Sequence, residues 1–240
     1  MGLAFEYLTY NGKSSRDFDV CISGNGVYNT PARDVEAIAI PGRNGDLHIE
    51  NERFENVSIT YPAYITKNFA ENFDAFKAYL LSRRGYKRLM DSYTPDFYRL
   101  ASYSSAIAPE MTPLNRWGKF DVTFDCDPRR FLVSGDKKIT FVGTDGSIKN
   151  PTLYTALPLI RAYGSSASLT INGISVMINS ASEYTDLDCE LQEAYKGTTN
   201  CNGNITLTNG VFPSLAPGVN AISRASGIWK IEIIPRWWTI

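Results

Sequence analysis

Strict alternation of apolar and polar residues dominates this chain. In NVSITYPAYI, Val57, Ile59, Tyr61, Ala63 and Ile65 fall on one side, and Ser58, Thr60, Pro62 and Tyr64 on the other. A period of two is that of a half-buried β-strand; a helix would scatter the same residues around its axis. Pro62 has no N–H to give to a ladder, so an open edge or a bulge is expected beside it. FDVCIS, WGKFDVTFD, KKITFVG, SLTI, SVMIN, NITLT and IWKIEII read as further short strands.

The turn chemistry agrees with this pattern. SLTI-NG-ISVMI places Asn172-Gly173 in a two-residue hairpin turn, whose positive φ angles this pair adopts cheaply. Ile171 then faces Ile174, and Leu169 faces Val176. Asn209-Gly210 is a second candidate hairpin turn, although Pro213 soon interrupts the returning strand. One segment is helical in pattern: Phe69, Phe73, Phe76 and Leu80 form one apolar stripe from Phe69 to about Ser82. Asn68 is the expected N-cap, with Glu71 three residues on, and Gly85 suits the exit. Arg83 and Arg84 then lie near the negative end of the helix dipole. Near the C-terminus, Trp229, Ile231 and Ile233 are expected to share a buried face, with Pro235 ending that strand. The chain therefore reads as mainly β with one helix. Turn-rich sequence after CDPRR places a seam near Leu132, giving domains 1–132 and 133–240, each long enough for its own core.

The totals exclude several classes. Across 240 residues there are 24 basic and 25 acidic side chains, a formal net charge of -1, so there is no overall positive field for sequence-specific nucleic-acid binding. The opening MGLAFEYLTYNGKSSRD lacks the basic-then-apolar layout of a signal peptide, and synthesis in the cytosol is expected. No stretch approaches the roughly 18 uninterrupted apolar residues of a membrane helix. Cys21, Cys126, Cys189 and Cys201 are scattered without a C-x-x-C pair, and with a single histidine they point to buried thiols rather than a metal site.

Catalytic constellations are sparse. SGNGVYN begins like a dinucleotide fingerprint, but Asn29 stands at the third glycine position and no strand-turn-helix surrounds it. No glycine run leads into Gly-Lys-Ser/Thr, and GSSAS lacks the second glycine of a hydrolase elbow. His48 lies on an alternating strand, where a structural or surface role is the simpler one. Two acidic clusters, Asp46, Glu50, Glu52, Glu55 and Asp186, Asp188, Glu190, Glu193, leave a glycosidase pair open in principle. No catalytic residue, cofactor or metal is assigned.

IPGRNGDL, residues 40–47, is a strand-to-strand turn. A phosphate cradle needs a helix after its glycines, whereas Leu47 and Ile49 alternate with His48 and Glu50. Its residues Pro41, Gly42, Arg43, Asn44, Gly45 and Asp46 are nonetheless a candidate contact, because an arginine on a glycine-framed turn reaches carboxylates and carbonyls bidentately. Arg236, Trp237 and Trp238 at the other end of the chain are candidates for packing or for docking a partner.

IPGRNGDL, FAENFDAFKAYLLSRRG, FDCDPRRFLVSGD, NPTLYTALPLIRAYGSSASLTING, DLDCELQEAYKG, FPSLAPGVNAIS and IEIIPRWWTI, in this order over nearly the whole chain, resemble distal tail (Dit) proteins of long non-contractile-tailed bacteriophages. The resemblance implies a mainly β, two-domain fold: an N-terminal tail-tube-like β-sandwich with one α-helix, and a C-terminal galectin-like β-sandwich. It further implies a hexameric ring at the distal end of the tail, assembled in the cytoplasm of the bacterial host. Such a ring joins the tail-tube protein to tail-tip and receptor-binding proteins and leaves a channel for DNA. The alternative reading is a carbohydrate-binding module that recognises the host wall through the C-terminal sandwich, where Tyr154, Tyr163, Tyr184 and Tyr195 are the stacking candidates. A third is a tail-associated glycan hydrolase. No segment after Asn150 is long enough to form an inserted arm.

Overall fold

The alternation in residues 57–65 produces a strand of the first half that lies next to the edge of its sheet. A computed structural model describes residues 5–24, 26–112, 116–181 and 183–240. It divides into two compact units, Met1–Arg130 with Ile240, and Phe131–Thr239.

The first unit contains β1 (Leu8–Tyr10), β2 (Lys13–Ser14), β3 (Val20–Ile22), β4 (Arg33–Ile38) and β5 (Leu47–Phe54). β6 (Val57–Ile65), helix α1 (Phe69–Leu81), β7 (Lys87–Asp91), β8 (Phe97–Ser102), β9 (Glu110–Met111) and β10 (Gly118–Leu132) follow. The main sheet is antiparallel in the order β2-β1-β7-β8-β10-β6-β3, with β9 also on β10. Ile59 lies opposite Phe124 and Tyr61 opposite Val122, so the apolar residues of β6 and β10 share the inner face. Tyr10 on β1 reaches Phe124, three strands away, with ring centroids 5.0 Å apart. The sheet therefore curls over its own core. The stripe of α1 fills the remaining side: Phe69, Phe73, Phe76 and Leu80 are buried, and Phe73 meets Phe120 edge-on at 5.0 Å.

Two local expectations are resolved here. Asn68 does not cap α1 through its side chain: its backbone is left-handed (φ 48°), which turns the side chain away from the helix N–H groups, and its carbonyl accepts from Asn72 N–H instead. At Pro62 the ladder to β3 ends with the pair Ile22–Ala63, and the Pro62 carbonyl accepts from Ser23 N–H at 2.7 Å. The missing donor thus lies where the strand edge is open.

The second unit has β11 (Ile139–Phe141), β12 (Asp145–Asn150), β13 (Leu159–Gly164), β14 (Ala167–Ile171), β15 (Ile174–Ile178) and β16 (Tyr184–Asp188). β17 (Glu193–Lys196), β18 (Thr199–Asn200), β19 (Ile205–Leu207), β20 (Gly218–Arg224), β21 (Ile228–Ile234) and the short β22 (Trp238–Thr239) follow. Strands β11 to β21 form two sheets, β11-β21-β13-β16-β17-β18 and β12-β20-β14-β15-β19. Ile160, Leu187, Ile231 and Ile233 of the first share one core with Leu169, Ile171, Val176 and Ile222 of the second. This is a sandwich. The Asn172-Gly173 hairpin has the register Ile171–Ile174 and Leu169–Val176, with both turn residues at positive φ.

Three expectations are corrected. Trp229 is 58% exposed, while Ile231 and Ile233 are buried. The pairing of β13 with β21 shifts after Tyr163, which faces Lys230, to Gly164, which faces Ile228. The extra residue, Trp229, belongs to a bulge and is turned outward. Asn209-Gly210 does adopt positive φ at both positions, but it makes a turn at the end of the edge strand β19 and no hairpin, since β20 pairs elsewhere. Of the four free thiols, Cys126 and Cys189 are buried, and burial pushes each up to about 12. Cys21 and Cys201 are only half-buried.

Candidate assembly surface

Residues 33–54 form a hairpin that pairs with no other strand among the described residues. Val35, Glu36, Ala37 and Ile38 oppose Glu50, Ile49, His48 and Leu47, and Glu55 N–H closes the base on the Ala32 carbonyl at 2.9 Å. Gly42 (φ 79°) and Gly45 (φ 82°) supply the left-handed residues of the turn, and Arg43 N–H donates to the Ile40 carbonyl at 3.1 Å. Space is not the constraint, because a Cβ at either glycine would meet nothing within 4 Å. All six residues Pro41–Asp46 are exposed. None of the Arg43, Asn44 or Asp46 side chains has a hydrogen-bond or ion-pair partner among the described residues.

Directly opposed residues of a hairpin share a face. Ile38, Leu47 and Ile49 therefore lie together, with Ile40 continuing the row, and each is between 37% and 42% exposed. His48 lies on the other face, opposite Ala37. Nearer the base, Asp34 accepts from Asn51 Nδ2 at 2.9 Å and Arg53 Nε at 2.5 Å, and the Arg33 guanidinium stacks on Phe54 at 5.0 Å. Polar pairing thus anchors the base, while the outer half presents aliphatic side chains to water. An isolated two-stranded hairpin is marginally stable at best, so this one gains from a cover.

The residues near the C-terminus are held by the second unit. Trp237 is buried in its core at 4% exposure. Arg236 grips Asp188 with two bonds, Nη1 to Oδ1 at 2.7 Å and Nη2 to Oδ2 at 2.8 Å. Trp238 stacks on Tyr154 with centroids 4.4 Å apart, and its Nε1 donates to the Thr155 carbonyl at 3.0 Å.

Two of the carboxylates that left hydrolysis open are held by arginines. Asp186 accepts from Arg161 Nε at 2.7 Å and Nη2 at 2.8 Å, and Asp188 is held by Arg236. Glu50 and Glu52 lie along the exposed hairpin, with Asp46 and Glu55 at its two ends. Among the described residues no three His, Cys, Asp or Glu groups could hold a metal ion, and no helix is long and apolar enough to cross a membrane. The candidate stacking tyrosines are largely covered too: Tyr154 by Trp238, Tyr163 by Trp229 and Lys230, Tyr184 by Arg161 and Lys196.

This arrangement is a mainly β, two-domain scaffold with a hairpin that pairs with no other strand among the described residues. No family model matches the chain, and no curated protein does. Among solved structures, the crystal structure of the SPP1 Dit (gp 19.1) protein, described as a paradigm of the hub adsorption apparatus in phages infecting Gram-positive bacteria, superposes with a TM-score of 0.74. Identity is 15%, over 96% of this chain and 98% of that one. The phage p2 baseplate in its activated conformation with Sr matches at a TM-score of 0.50 and 11% identity, again over 96% and 98%. The chain has the Dit fold.

Proposed function

We propose that this protein is the structural hub of a siphophage tail tip or baseplate. Residues 1–132 supply the contacts of a homo-hexameric ring, and residues 133–240 form a galectin-like sandwich. The ring joins the tail tube to tail-tip and host-adhesion proteins at the distal end of the virion, after assembly in the host cytoplasm, and leaves a channel for DNA. The hub role is structural and has no enzymatic step. The observation that carries this reading is the Dit fold over 96% of the chain, together with a hairpin whose apolar face stays part-exposed among the described residues. In a closed heterologous ring, one patch meets a different patch on the neighbour and no interface is left open.

Electron microscopy of the purified protein, alone and mixed with its tail neighbours, tests this directly. Closed rings are expected. A monomer in every mixture would overturn the reading. Arg43→Ala is expected to weaken ring formation several-fold without altering the melting curve, since its side chain has no partner among the described residues. Assembly equal to wild type would remove the arginine from the contact and leave the turn intact.

Because three of the four candidate tyrosines already have covered rings, titration of the protein with host-wall polysaccharide is expected to show no saturable micromolar binding. Saturable binding abolished by a Tyr163 or Tyr195 substitution would promote the carbohydrate-binding alternative.

A further inference from the structure

The outer face of the first unit carries a second exposed apolar surface. A groove of about 550 Å³ is lined by Pro62, Tyr64, Ile65, Thr66, Trp117 and Lys119. Trp117 is 52% exposed, and Phe5 leans edge-on against Tyr64 with centroids 6.0 Å apart. Strand addition is blocked on this edge: Pro62 offers no N–H, and the Ser58 carbonyl already accepts from Asn29 Nδ2 at 3.2 Å. A partner here must dock by side chains.

We infer that the groove takes the hairpin of a second copy of this chain, with Ile38, Ile40, Leu47 and Ile49 of one protomer lying against Pro62, Tyr64 and Trp117 of the next. The inference rests on the ring reading above and specifies which two surfaces meet. Both surfaces belong to the same unit and both are uncovered, so two copies can satisfy each other. A hairpin-to-hairpin contact would instead be two-fold, would leave the groove exposed and would not build a ring. Charge agrees with the pairing. Glu36, on the same face as Ile38 and Ile49, has no cationic partner among the described residues. At the groove, the one ion-pair partner of Lys119 among the described residues is Glu110, at 2.8 Å, with side chains 66% and 75% exposed. A surface pair of that kind is weak and exchanges readily.

Cross-linking of the full chain tests the inference. The half-buried Cys21 and Cys201 are first replaced by serine, then Ile49→Cys and Tyr64→Cys are introduced singly and together, and a short bis-maleimide is added. The double variant is expected to give a ladder of linked species up to the ring size, and neither single variant a linked product. Ile49→Asp is expected to reduce the ring population at least tenfold with an unchanged melting curve, because the side chain is already part-exposed. Linked dimers from Ile49→Cys alone would show a two-fold hairpin contact and overturn the inference. Intact rings with no linkage in the double variant would overturn it while leaving the hub reading standing. Absence of any oligomer, alone or with tail neighbours, would remove the ring reading and this inference together.

Discussion

Trp237→Ala is expected to lower the melting temperature of the second unit by about 15 °C, and removal of Pro235–Ile240 by at least as much. Replacing a buried tryptophan by alanine costs about 3–5 kcal/mol, and each kcal/mol moves the midpoint of a domain this size by about 4–8 °C. The site leaves little room to relax. Leu132 N–H donates to the Trp237 carbonyl at 2.9 Å, and Arg236 N–H to the Gly135 carbonyl at 2.9 Å. Gly135 sits so close that a Cβ there would come within 2.4 Å of the Trp237 nitrogen. Thermal unfolding followed by circular dichroism, with calorimetry to separate the two units, gives the answer. An unchanged curve combined with weakened binding to a tail neighbour would mean that this segment serves docking instead.

Arg236→Ala should destabilise the same unit by about 3–5 kcal/mol, because it strands the Asp188 carboxylate, whose side chain is 4% exposed. Burial by itself would push the Asp188 carboxyl up. The bonds from Arg236 and from the backbone N–H groups of Leu191 and Glu190 outweigh that and hold it below the usual carboxylate range. A carboxyl with a depressed folded-state value contributes stability above its unfolded value, about 3.9, and loses it as pH falls through the lower folded value. The gap in melting temperature between wild type and variant should therefore be full at neutral pH and shrink below about pH 4. A gap that stays constant into acid would show that the guanidinium acts by packing alone. Asp188→Leu combined with Arg236→Met, which removes both charges, should recover much of the loss.

How much of this was readable in advance depended on the range of the interaction. β6, the Asn172-Gly173 hairpin and the stripe of α1 were legible because their signals are local: a period of two, a turn pair with cheap positive φ, and a period near 3.6. Trp229 was not legible. WKIEI alternates without a break, and the bulge that turns Trp229 outward arises where Gly164 meets Gly227, in the turn just before the neighbouring strand, so closely that a Cβ on Gly164 would lie 2.0 Å from its carbonyl oxygen. The Asn68 cap failed for a related reason, since a side chain that can cap does so only if its backbone is not left-handed.

The site divides the same way. The turn at Pro41–Asp46, with its two glycines, is written in its residues. The alternation of Leu47 and Ile49 with His48 and Glu50 likewise marks a strand with one apolar face. Whether that face lies in a core or stays open is not a local property, because burial depends on which distant strand arrives beside it. The acidic cluster from Asp186 to Glu193 is similar: carboxylates that could have formed a catalytic pair are claimed by Arg161 and Arg236, far away in sequence. Local periodicity and turn chemistry thus determined the elements and their apolar faces. Long-range pairing decided which faces are covered, which charges are neutralised, and that one apolar face of the hairpin stays part-exposed.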